Sequence, residues 1–110
     1  MKTINDYCCD AFNNAVLKGW HEKERTIGDQ IALMHSELSE ALEEFRNGYR
    51  PDEIYFSQGR KPEGIPIELA DCIIRIFDFC GKYDIDLEQA IKIKMEYNET
   101  RPHRHGGKQV

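Results

Sequence analysis

The stretch Pro66-Ile67-Glu68-Leu69-Ala70-Asp71-Cys72-Ile73-Ile74-Arg75-Ile76-Phe77-Asp78-Phe79-Cys80-Gly81 decides the fold of this chain. Ile67, Ala70, Ile74 and Phe77 recur at helical spacing, and Leu69, Ile73, Ile76 and Cys80 form a second apolar line beside them. The pattern predicts a helix over 66–81 that is buried on two sides, opened by Pro66 at a first helical position and ended by Gly81. One polar stripe interrupts it, made of Glu68, Asp71, Arg75 and Asp78. A helix of this kind is central to its fold, and the stripe must enter a cleft or find partners.

Three further helices follow from caps and periodicity. Thr3 with Asp6 three residues on starts a helix over about 3–18, ended near Gly19, with Ile4, Cys8, Ala11 and Ala15 in register. Thr26 with Asp29 starts a second, about 27–46, whose stripe Ile27, Ile31, Met34, Leu38, Leu42 and Phe45 advances in steps of four and three until Gly48. Asp86 with Gln89 opens the last, about 87–100, which stops before Pro102. The connection 47–65 holds Pro51, Gly59, Pro62 and Gly64 and is long for a helical bundle. No alternation predicts a strand and no internal repeat is visible, so the expectation is one all-α, four-helix-bundle-like domain over 1–110 with a flexible basic tail at 102–110.

The composition excludes several classes. With 40% apolar and 32% charged residues the chain is neither disordered nor fibrous. It has no apolar run long enough for a membrane span, and Met1 to Asp6 lack the apolar centre of a secretory signal, so a cytoplasmic protein is expected. Cys8, Cys9, Cys72 and Cys80 match neither a disulfide framework nor zinc-ligand spacing. A net charge of −5 argues against a nucleic-acid polymer as partner. The charge is nevertheless uneven: Lys92 to Val110 carry a basic excess, which points to one localised anion. A domain this small gains by burying a helix face against another copy, so a homo-oligomer is expected.

Two acidic pairs carry the chemistry. Glu37-Leu38-Ser39-Glu40 and Glu68-Leu69-Ala70-Asp71 each place two carboxylates on one helix face, about 4.5 Å apart along the axis. Either pair alone is common on solvated helices; together, with one set in an apolar helix, they point to a cation site. Carboxylates gathered this closely repel by about 4 kcal/mol per pair at an effective dielectric near 20, and a divalent cation reverses that cost. An all-oxygen set selects Mg²⁺, with Mn²⁺ as substitute, over zinc. Lys94, Asn98 and Arg101 share one face of the last helix and offer anion contacts, and Arg104 and Lys108 extend them beyond Pro102 among glycines. Trp20 is expected in the core, with stacking on a base as the alternative.

These motifs resemble the MazG-like branch of the all-α nucleoside triphosphate pyrophosphohydrolases, whose signature is Glu-x-x-Glu, a spacer and Glu-x-x-Asp. Here Ala41 to Ile67 form the spacer. The surrounding His35-Ser36-Glu37-Leu38-Ser39-Glu40-Ala41-Leu42, Lys61-Pro62-Glu63-Gly64-Ile65-Pro66 and Arg101-Pro102-His103-Arg104-His105-Gly106-Gly107-Lys108 also fit, over about Asn14 to Lys108. The resemblance implies an oligomeric enzyme, a homodimer or homotetramer, that hydrolyses a nucleoside triphosphate to the monophosphate and pyrophosphate. It implies metal ligation by Glu37, Glu40, Glu68 and Asp71, and phosphate contacts from Lys94, Asn98 and Arg101. Glu40, or else Glu37, is expected to take the proton of the attacking water. Asp78 has no secure counterpart in the motif. A dUTPase-like or other phosphorylated-metabolite specificity, and a non-catalytic helical module that binds a metal or partner, are the alternatives.

Overall fold

The computed structural model describes residues 1–102. Thr3 and Thr26 each accept a hydrogen bond from the backbone N–H three residues on, while Asp6 and Asp29 reach back to the cap N–H, so α1 (Ile4–Leu17) and α2 (Ile27–Arg46) both start in complete capping boxes. Asp86 caps α4 (Leu87–Thr100) through the Gln89 N–H. Both that bond and one from the Asn5 amide hold the Asp86 carboxyl below its ordinary value, the Asn5 bond contributing more. α3 (Ile65–Lys82) carries Pro66 in its first turn, as expected.

Two expectations are corrected. Residues Tyr55–Ser57 and Lys61–Glu63 form strands β1 and β2, an antiparallel hairpin pairing Tyr55 with Glu63 and Ser57 with Lys61. Three-residue strands are too short to show alternation, and the chain reverses between them through left-handed backbone at Gly59 and Arg60. The second correction is that Gly81 does not end α3, which continues to Lys82 with Tyr83 as its cap. The stop comes from Asp84 in the left-handed region, with the Ile85 N–H closing on the Cys80 carbonyl at 2.9 Å.

Gly81 has a packing role instead. A methyl group on it would lie 2.5 Å from the Cys8 carbonyl oxygen and 2.6 Å from Cβ of Phe12, so α1 and α3 approach closely here. The buried residues are correspondingly small: Cys8 and Ala15 on α1, Ala41 on α2, Cys72 and Cys80 on α3. Burial raises the thiol pKa of both Cys8 and Cys80, which keeps them protonated in the seam.

α3 packs on α1 along one flank and on α2 along the other, the central place its apolar lines require. Burial on those flanks is partial, since Leu69, Ile73 and Ile74 stay substantially exposed, as do Ile31, Leu38, Leu42 and Phe45 of the α2 stripe. α4 is tied to the start of α1, where Asn5 bonds both Asp86 and the Glu88 N–H and the Ile4 N–H donates to Glu88. Among the described residues no helix is long and apolar enough to cross a membrane. Gly81→Ala should lower stability by about 1–2 kcal/mol, the overpacking outweighing the better helix propensity of alanine. Thermal unfolding of the two proteins checks this.

Candidate functional site

The seam between α2 and α3 gathers the acidic side chains. Glu37, Glu68 and Asp71, all half-buried, each offer one carboxylate oxygen, and these oxygens lie within 4.8 Å of one another. Burial raises the Glu68 pKa, and the nearby charges of Asp71, Glu37, Glu40 and Glu44 raise it further. Glu40 therefore faces the group closely enough to be felt, but it stands one turn along α2, exposed, and outside the close triad. No hydrogen bond or ion pair among the described residues fixes its rotamer. The triad fits a hard divalent cation: its donors are all carboxylate oxygens, they come from two helices, and their mutual repulsion is relieved by positive charge.

Neighbouring contacts hold this seam in place. The Arg75 Nε lies 3.8 Å from Glu37, the one ion pair at the triad among the described residues. Glu44, one further turn along α2, accepts the Tyr55 hydroxyl through both oxygens, at 3.0 and 2.9 Å. Tyr55 stacks on Tyr49 with ring centroids 4.3 Å apart, so the hairpin is clamped to α2. Burial and then the Glu44 bond push the Tyr55 hydroxyl well above its ordinary pKa, keeping it a donor.

Trp20 is not in the core, being 49% exposed. α1 ends with Gly19 in left-handed backbone, the Gly19 N–H bonding the Val16 carbonyl and the Trp20 N–H the Ala15 carbonyl, and this cap swings Trp20 outward. There it lines a hollow with Glu37, Asp71, Ile74 and Arg75. His21 turns inward, its Nε2–H donating to Asp78 Oδ1 at 2.7 Å while its ring packs on Phe12.

No family model, curated protein or solved structure matches this chain. The site is accordingly defined by its own geometry, which gathers three of the four expected ligands and leaves the expected anion contacts apart. Lys94 and Arg101 both pack over the Tyr97 ring on α4, whose principal contact is with α1; among the described residues no ion pair joins Lys94 or Arg101, and no hydrogen bond joins the Asn98 amide, to the triad. Arg104 and Lys108 lie outside the described residues. The sequence reading missed the bond between His21 and Asp78 and the clamp of Glu44 and Tyr55. The first had a signal in Asp78 on an otherwise apolar helix; the second had none beyond the aromatic pair Tyr55-Phe56.

The raised Glu68 pKa gives a signed expectation. Because the native state holds that proton more tightly than the unfolded chain, the Glu68 contribution to stability falls as pH rises from the ordinary 4.5 through the native value. Glu68→Gln should remove this fall. In metal-free buffer, the melting temperature of the variant relative to wild type should climb across that interval and stay high at neutral pH.

Proposed function

We propose that the chain is a Mg²⁺-dependent nucleoside triphosphate pyrophosphohydrolase of the MazG-like, all-α four-helix kind, converting an NTP or dNTP to the monophosphate and pyrophosphate. The observation that carries this reading is the convergence of Glu37 from α2 with Glu68 and Asp71 from α3. These three residues would hold the cation, with Mn²⁺ able to replace it. When bound, the cation supplies charge neutralisation at the phosphate oxygens and activation of water.

The chain's own groups divide the remaining work. Glu37 would be engaged by the cation and lies 3.8 Å from Arg75, whereas Glu40 is exposed and unpaired among the described residues, which suits it to accept the proton of the attacking water. Trp20, at the edge of the same hollow, offers a ring face to the nucleoside. Lys94, Asn98 and Arg101 belong to this reading through a second copy of the chain, since α4 does not bring them to the triad of its own subunit.

A second copy is also favoured by the apolar surface. The stripe Ile31, Leu38, Leu42 and Phe45 and the face Leu69 and Ile73 are exposed on the two helices that build the site, apolar surface that a second copy would cover. A homodimer or homotetramer that covers these exposed faces is the assembly this reading implies. Sedimentation should show a dimer or larger species at micromolar concentration, and a fully active monomer would count against the shared site.

The activity is tested with a panel of ribo- and deoxyribonucleoside triphosphates, reading pyrophosphate release. Chelation should abolish turnover, Mg²⁺ or Mn²⁺ should restore it, and Glu40→Ala should lower kcat about a hundredfold or more while the helical signal persists. Turnover that survives chelation overturns the reading. A folded protein that binds Mg²⁺ without hydrolysing any member of the panel is instead the non-catalytic module.

A further inference from the structure

Beside the triad lies a second recess, built from three parts of the chain. The connection between α1 and α2 contributes Trp20, Lys23 and Arg25, and α3 contributes Arg75 and Lys82. Gln30 fixes its wall, the side-chain amide donating to the Arg25 carbonyl at 3.3 Å and to the Tyr83 hydroxyl at 3.1 Å. The bond between His21 and Asp78 closes its floor.

Charge is the informative feature. In a chain of net charge −5, this recess is lined by four cationic side chains and a single carboxylate, and Asp78 already gives one oxygen to His21. Like charges converging on one hollow repel in its absence of an anion, as the carboxylates of the triad repel without a cation. The two clusters are adjacent, because Arg75 lines the recess and pairs with Glu37, and Trp20 borders both hollows. The cavity volume of about 30 Å³ is too small for a flat purine or pyrimidine ring.

We propose that this recess seats the terminal phosphoryl group of the substrate, so that Lys23, Arg25 and Lys82, with Arg75 at the boundary, hold the departing pyrophosphate. The proposal rests on the pyrophosphohydrolase reading above and assigns, within one subunit, the anion contacts that α4 does not supply. In the reaction, an oxygen of water bonds to the α-phosphorus and the anhydride bond between the α- and β-phosphates breaks. The electron pair leaves on the pyrophosphate oxygen, where the recess cations stabilise it, and the proton of the water passes to Glu40.

Trp20 is the only tryptophan, so its fluorescence reports the recess directly. Inorganic pyrophosphate titrated into the metal-free protein should give a saturable change, and an uncharged nucleoside should give none that depends on the cations. The double variant Arg25→Gln with Lys82→Gln should bind pyrophosphate about tenfold more weakly or worse. Lys23→Gln, on an exposed loop position, should weaken it in the same direction should the double variant fail to fold. Asp78→Asn, which removes the one negative charge of the recess, should tighten it, an outcome that a purely structural role would not produce. No saturable pyrophosphate response, unchanged affinity in the cation variants, or loss of nucleoside binding in their place would each overturn the proposal. Glu68→Gln separates the two readings: it should lose turnover with Mg²⁺ but not pyrophosphate binding without metal.

Discussion

The whole arrangement depends on α3 having to be flanked. Its surface is apolar around most of its circumference, and such a helix is stable in water only when other elements cover it. α1 covers one side at very short range, which is possible because Gly81 presents no side chain to the Cys8 carbonyl and because the buried seam residues are small. α2 covers the other side. The polar stripe of α3 cannot sit beneath either flank without partners, so it comes to rest along the α2 seam and the α1–α2 connection. There Asp71 and Glu68 meet Glu37, Arg75 pairs with Glu37, and Asp78 receives His21. Site and core are thus two results of one packing demand.

Charge is sorted along this seam rather than mixed. At the end nearer the start of α3, carboxylates crowd together with one guanidinium at their margin, and toward its other end cations crowd around one carboxylate. Two adjacent unbalanced clusters of opposite sign could have neutralised each other by a small rotation of long side chains. Among the described residues only Arg75 does so, through its contact with Glu37. A ligand that carries both a coordinating phosphate and a free anionic end would answer both imbalances at once, as the polyphosphate proposed above would.

What was legible in the sequence was local. The Thr3 with Asp6 and Thr26 with Asp29 boxes and the Asp86 cap lie within four residues of the backbone they satisfy, so their geometry can be read from spacing. The pairing of Glu68 with Asp71 was legible for a related reason, since a spacing of three fixes two carboxylates on one face of a helix; that Glu37 and not Glu40 joins them depends on how α2 lies against α3, which spacing does not encode. The hairpin was not, because strands of three residues carry no period. The length of α3 past Gly81 was misread because that glycine answers to Cys8 and Phe12 far away in sequence, not to a helix end. Trp20 was misplaced because the turn of the α1 cap, not hydrophobicity, decides where that ring points. The direction of α4 is set by Asn5 and Glu88 across the chain, and no periodicity encodes it.

The clamp of Tyr55 on Glu44, with Tyr49 stacked behind it, has a mechanical consequence. Repelling carboxylates on two neighbouring helices can relax simply by letting the helices spread, and a slack connection between them would permit it. Here the connection is folded into a hairpin whose first strand is bolted to α2 while its second runs directly into the start of α3. Spreading would work against the clamp, which opposes relaxation of the carboxylate repulsion. Positive charge entering the gap would relieve it, and the folded connection would thereby contribute to the affinity for the proposed cation.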